Sequence, residues 1–164
     1  MAKEIERKFL VLDERWRETA RNHTSMRQAY IASMEDRSLR VRILDGASAK
    51  LTIKIGRSAM TRDEFEYDIP LDDAEEMLGN AIGIVLDKTR HEVAHEGYVW
   101  EVDVYHGAYN GLVVAEVELD SEHQNPPLPD WLGPEVTGDS RYSNQSLATE
   151  DLRGEMGLPL PTAS

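Results

Sequence analysis

The sequence predicts an α+β protein: an eight-stranded antiparallel β-barrel with a charged lumen and helices packed outside. Three observations predict it. Apolar and polar residues alternate with period two in segment after segment, as strands with one dry and one polar face do. The polar faces carry charges in segregated pairs of one sign, whereas an ordinary solvent face mixes Lys, Glu, Thr, Ser and Gln. A sheet of about eight strands can close around a small ligand, and closure removes its edges.

The elements follow in chain order. Residues 3–10 put Glu4, Glu6 and Lys8 on one face. A second strand is expected over 26–33. Residues 37–44 set Ser38, Arg40 and Arg42 opposite Leu39, Val41 and Ile43. Residues 50–55 set Lys50, Thr52 and Lys54 opposite Leu51, Ile53 and Ile55. Arg62, Glu64, Glu66 and Asp68 align in 61–69, and Lys88, Arg90 and Glu92 align in 86–93. Glu101 and Asp103 oppose Trp100, Val102 and Val104 in 100–105. In 112–120, Glu116, Glu118 and Asp120 oppose Val113, Ala115, Val117 and Leu119. Helices are expected from Asp13 to Arg21, from Asp73 to Asn80 behind Asp72, and from Asn144 to Arg153 behind Ser143. Gly83 and Gly154 would follow the last two. Turns fall at Asp45-Gly46, Gly56, Gly107 and Asn110-Gly111. The proline-rich stretch 124–134 reads as an ordered loop. Residues 1–157 read as one domain and 158–164 as a flexible tail.

Composition excludes several classes. A formal net charge of -13 argues against nucleic-acid binding, which phosphate contacts drive. It leaves room for a small anion in a locally basic pocket. Without cysteine there is no disulfide or thiolate metal site, which suits a cytoplasmic protein. No apolar run of about 18 residues offers a membrane span. The start is charged from Lys3 on and lacks the apolar core of a signal peptide. His91 and His95 are four apart, but in a strand that spacing does not converge them, so no histidine metal site is expected. Glycine-rich phosphate loops, nucleophile elbows and Ser/His pairs are missing too.

A lumen full of charge is costly unless the charges are paired or hold something. Cations and acids on the inward faces could simply neutralise one another. They could also divide the labour: Arg and Lys take phosphoryl oxygens, Arg bidentately, while carboxylates hold a hard divalent cation such as Mg2+ or Mn2+. Same-face carboxylates two apart stand about 7 Å from each other, close enough to grip one hydrated ion. A phosphate chain with its metals would use both halves of the inventory.

Taken in order, these residues resemble the CYTH superfamily, the triphosphate tunnel metalloenzymes. The similar motifs are the opening Glu4-Ile5-Glu6-Arg7-Lys8 (ExExK), Arg40-x-Arg42, Lys54 closing LTIK, Glu64-x-Glu66, Lys88-x-Arg90, Glu101-x-Asp103, Glu116-x-Glu118 and the closing segment Glu135 to Ala148. The likeness spans residues 2–150, and the short opening is similar to the inorganic triphosphatase branch. It implies an eight-stranded tunnel that binds a small anionic triphosphate with Mg2+ or Mn2+, and a homodimer. Lys8, Arg40, Arg42, Lys54, Lys88 and Arg90 would line the phosphate path, with Arg141 beside a helix start. Glu4, Glu6, Glu116 and Glu118 would hold metal, with Glu64, Glu66 and Asp103 as further ligands. Lys8 or Lys88 would assist in activating water, given a pKa lowered by neighbouring cations. Lys50 and Arg62 match no family position and are expected on the rim or exterior; Trp100 and Trp131 are expected to pack.

The activity implied is hydrolysis of inorganic tripolyphosphate to pyrophosphate and phosphate. Alternatives are a class IV-type adenylate cyclase, a thiamine triphosphatase, and a non-catalytic triphosphate- or polyphosphate-binding module.

Overall fold

A computed structural model describes residues 3–56 and 60–156. Nine strands appear in chain order: β1 (Lys3–Val11), β2 (Ala20–Ser33), β3 (Arg37–Leu44), β4 (Ser48–Gly56), β5 (Thr61–Ile69), β6 (Ile82–His95), β7 (Tyr98–His106), β8 (Val113–Glu118) and β9 (Leu132–Glu135). Helix α1 (Leu71–Leu78) follows β5, and α2 (Asn144–Thr149) comes last. The strands run β5-β4-β3-β2-β6-β7-β8-β1, and β1 returns to β5, so eight antiparallel strands close the barrel. One edge of β1 serves two partners: Lys3–Ile5 meet β5, while Phe9 and Val11 meet β9.

Closure sorts the alternating residues. Val41, Ile43, Ala49 and Ala29 face outward and are covered by Ala74 and Leu78 of α1. Phe9, Val93, Trp100, Val102, Ala115 and Val117 form a second outer layer under Trp16, Leu119, Trp131 and Leu132. Both tryptophans expected to pack do so: Trp100 meets Phe9 and Trp131 edge to face. The charged residues take the other side of the same strands and line the lumen.

A third cluster lies within one end of the barrel. Tyr30, Leu86, Tyr105 and Val114 share the inward face and meet Leu147 and Ala148 of α2. The helix seats against the start of β6, where a Cβ on Gly83 would stand 1.9 Å from the Ala148 carbonyl oxygen. Gly83 also has φ +70, so it is strained for any side chain. The barrel is therefore plugged from inside.

Several local expectations need correction. The segment 13–21 is no helix: a 3-10 turn covers Arg15–Glu18, and β2 already starts at Ala20, paired with Val93. Trp16 is buried by the outer layer, and Asn22, Thr24 and Ser25 are weak helix formers, so sheet pairing prevails. β2 thus carries His23, opposite His91. Helix α1 begins at Leu71 with Pro70 as its cap and ends at Gly79. Helix α2 stops at Thr149, because Glu150 turns extended and Leu152 is drawn into the inner cluster. The Tyr109 hydroxyl fastens that turn, donating to the Leu147 carbonyl at 2.5 Å. The loop 124–134 ends in strand β9, where Pro134 is tolerated because the strand lies at an edge. The expected tail 158–164 lies outside the described residues. Asp45-Gly46 lie in the three-residue loop 45–47 that turns β3 into β4, with positive φ at both residues.

Candidate active site

Strand register assembles the lumen. Lys8 stands opposite Glu116, Glu6 opposite Glu118, and Glu4 opposite Arg62. Arg90 faces Asp103, Glu101 faces Glu116, Arg40 faces Thr52, and Lys54 faces Glu64. A cavity of about 220 Å³ results, walled by Glu4, Glu6, Lys8, Arg40, Arg42, Lys54, Glu64, Glu66, Arg90, Glu116 and Glu118. Tyr30, Arg62, Glu101 and Asn144 also line it. It opens on one side into a vestibule of about 520 Å³ beside α2, sharing Glu6, Lys8, Lys54 and Arg62. At the far end Glu101 and Glu118 lead to a recess of about 570 Å³ edged by Glu92 and Asp120.

Most cations here are matched by acids. Lys54 Nζ lies 2.9 Å from Glu4 and 3.5 Å from Glu64. Lys8 Nζ lies 3.5 Å from Glu116 and donates to the Tyr142 carbonyl at 3.1 Å. Asp103 takes both Lys88 (2.6 Å) and Arg90 (2.7 Å). Burial pushes the Asp103 carboxyl up, but Arg90 and Lys88 outweigh it and hold it down at about 2. Arg40 and Arg42 differ, with relative exposures of 5% and 8% and no carboxylate bound to either among the described residues. The buried Arg40 Nε has no partner among the described residues. Burial, then Arg40 and Arg90, bring Arg42 down to about 9, so it stays charged at neutral pH.

The acids form touching pairs. Glu4 and Glu64 come within hydrogen-bonding reach of each other, and so do Glu6 and Glu116. Burial, then Glu116 and Glu4, raise the Glu6 carboxyl to about 8. Two buried carboxyls in contact need a proton or a cation between them. No group of three or more His, Asp or Glu side chains among the described residues stands ready to hold a metal ion. The donors expected for metal are thus gathered as oxygen pairs, chemistry that fits a hard divalent cation completing its shell with water and substrate oxygens.

The two lysines named for water activation part ways. Burial lowers Lys8, but Glu116 and Glu6 outweigh it, so its ammonium is held above its ordinary value while facing the cavity. Lys88 is 0% exposed, and burial with Arg90 and Arg42 lowers it to about 7 against the pull of Asp103. It sits behind Asp103, in reach of Asn144 at 3.4 Å. Arg141 stands apart, half exposed and bound to Asp139. Lys50 is on the rim with Asp68, as expected.

Arg62 was expected on the rim or exterior but lines the cavity; its shared parity with Glu64 and Glu66 was the signal. Tyr30 and the fully buried Gln28 carried no such signal, being uncharged, whereas Asn144 lines the cavity from the helix start where it was expected.

Barrel, charged lumen and paired carboxyls define a tunnel protein with acids and cations gathered around one cavity. The model of the CYTH domain family matches residues 2–153, and the chain belongs to that family. An inorganic triphosphatase of Acetivibrio thermocellus is 41% identical over 148 residues, covering 90% of this chain and 94% of its own. One of Nitrosomonas europaea is 33% identical over 149 residues, covering 88% and 96%. A solved crystal structure of an inorganic triphosphatase, 31% identical, superposes with a TM-score of 0.65 over 92% of this chain and 97% of its own.

Proposed function

We propose that this protein is an inorganic triphosphatase that hydrolyses tripolyphosphate to pyrophosphate and phosphate with the help of Mg2+ or Mn2+. The observation that carries it is the pair Arg40 and Arg42: two buried guanidiniums on the cavity wall that, among the described residues, bond to neutral side chains and to no carboxylate. Such a pair requires an anion. The two relatives named inorganic triphosphatases point to the same substrate.

Arg40, Arg42, Lys8, Lys54 and Arg90 would bind the phosphate oxygens and hold the chain in line. Arg62, at the vestibule side, would meet its outer end. Glu4, Glu6, Glu64, Glu116 and Glu118 would hold the ion, with Glu66 lining the same wall. When bound, the ion supplies charge neutralisation and a more acidic water. Asp103 keeps Arg90 and Lys88 in place, and Lys88 reaches the reaction only through it. Lys8, held charged, stabilises the departing phosphate oxygen. Arg141 takes no part in this path. On this reading the substrate is a small anion and the protein acts in the cytoplasm.

A nucleotide substrate is favoured less. Among the described residues, Tyr30 is the lone aromatic one in the central lining, and the vestibule lining has none to stack a base.

The test is phosphate release from tripolyphosphate, ATP and thiamine triphosphate, each with Mg2+, Mn2+ or EDTA, for the native protein and Glu4→Gln. Release should be fastest on tripolyphosphate, need metal and vanish in the variant. Cyclic AMP formed from ATP would make it a cyclase; tight tripolyphosphate binding without turnover would make it a binding module.

A further inference from the structure

The cavity's cations are held in two different ways. Lys8, Lys54, Lys88 and Arg90 each have a carboxylate within 3.5 Å. Arg42 instead donates from Nε to the Gln28 side-chain oxygen at 3.0 Å, and Arg40 donates from Nη2 to the Thr52 hydroxyl at 3.4 Å. Register makes this systematic. Gln28 is opposite Arg42 across β2–β3, and Thr52 is opposite Arg40 across β3–β4. The basic pair on the middle strand is gripped from both sides by neutral groups.

Gln28 is 0% exposed, and Thr52 is 1% exposed. The orientation of the Gln28 amide follows from chemistry: a guanidinium only donates, so the amide oxygen must face Arg42 and the NH2 must turn away. That NH2 is buried and finds no partner among the described residues, like the Nε of Arg40. Thr52 in turn donates to Glu66 at 3.2 Å, standing between that acid and Arg40. Two buried donors are thus left unsatisfied around a pair whose charge is left unspent. A glutamate at position 28 would fill the same space, satisfy Arg42 better and neutralise it, as Asp103 does for Arg90.

We propose that Gln28 and Thr52 are positioning residues, a neutral clamp that aims Arg42 and Arg40 at the phosphoryl chain without drawing off their charge. The substrate's oxygens then supply the anionic contact that no described carboxylate makes with the pair. This rests on the triphosphatase reading and names two residues that steer substrate binding through the arginines.

The experiment compares Gln28→Glu, Gln28→Met and Thr52→Val. Each is assayed for KM and kcat on tripolyphosphate, and for melting temperature with and without tripolyphosphate. Losing one full charge-assisted contact corresponds to about 10- to 100-fold in affinity. Gln28→Glu should raise KM by about that factor with a smaller change in kcat, and its ligand-free form should melt no lower than the native protein. The melting shift on adding tripolyphosphate should shrink. Gln28→Met, which loses the acceptor but adds no charge, should raise KM less and melt lower. A structural role alone would leave KM untouched in Gln28→Glu. A native KM there, or equal KM in the Glu and Met variants, overturns the clamp. If Gln28→Glu does not fold, Thr52→Val decides: KM raised roughly 3- to 10-fold supports it, the loss of one weaker hydrogen bond, and an unchanged KM overturns it. A native protein inert on tripolyphosphate would instead overturn the triphosphatase reading.

Discussion

Along four strands the inward face changes character in a single step. Lys8 gives way to Leu10, Lys88 to Leu86, Asp103 to Tyr105 and Glu116 to Val114. On one side of that step is a layer of buried charge; on the other is the apolar plug built around Leu147. The plug gains stability by leaving water, while the charged layer spends stability to keep ions out of it. Strand geometry is the same in both, so the fold separates support from chemistry by composition alone.

The sharpest way to break this division is to remove one residue from each side. Arg42→Ala should lower kcat/KM by about 100-fold or more while the protein still melts near the native temperature, because a deleted buried cation relieves repulsion from Arg40 and Arg90. Leu147→Ala should do the reverse. Truncating a fully buried leucine costs about 2–5 kcal/mol, or very roughly 5–20 °C in a chain of this size, yet turnover well below melting should survive. Loss of activity in a folded Leu147→Ala protein would show that the plug shapes the site directly.

Titration sharpens the comparison at a smaller scale. Glu6 has its carboxyl raised from 4.5 to about 8 by burial and by Glu116 and Glu4. Between those values the folded protein keeps a proton that the unfolded chain has released, so stability must fall as pH rises through the window. In EDTA, urea midpoints should drop from pH 5 to pH 8, and Glu6→Gln should flatten the slope. A midpoint that rises with pH in the native protein and is untouched by Glu6→Gln would contradict the assignment. Arg141→Ala should show the smallest effect, with activity within about twofold of native, since its exposed pair with Asp139 is screened by water.

Much of this was legible in the sequence because charge made it so. Period-two alternation with like-charged pairs exposed the barrel and its inward face, and parity alone placed Glu4, Glu6, Lys8, Arg40, Arg42, Glu116 and Glu118 together in the lumen. Arg62 had the right parity and was read as rim or exterior only because it matched no motif position. Uncharged lumen residues within strands were silent: Gln28 and Tyr30 look the same in a core or a loop. Strand β9 was hidden by Pro134, which an edge tolerates. The false helix at 13–21 arose from Trp16 and Ala20 at helical spacing; their burial belongs to the outer face of the sheet and the start of β2. Nothing in the pattern of Asn144–Thr149 said that its apolar side would enter the barrel.

The partners of β1 have a consequence for how the molecule is made. This strand comes off the ribosome before the others, yet its neighbours are β5, β8 and β9, and the pairings with the last two span more than a hundred residues of sequence. Contacts so distant form late and slow the search for the native state. The first stave is the last to be set. Glu4, Glu6 and Lys8 ride on it, so a growing or truncated chain can hold every other wall of the tunnel and still have no site.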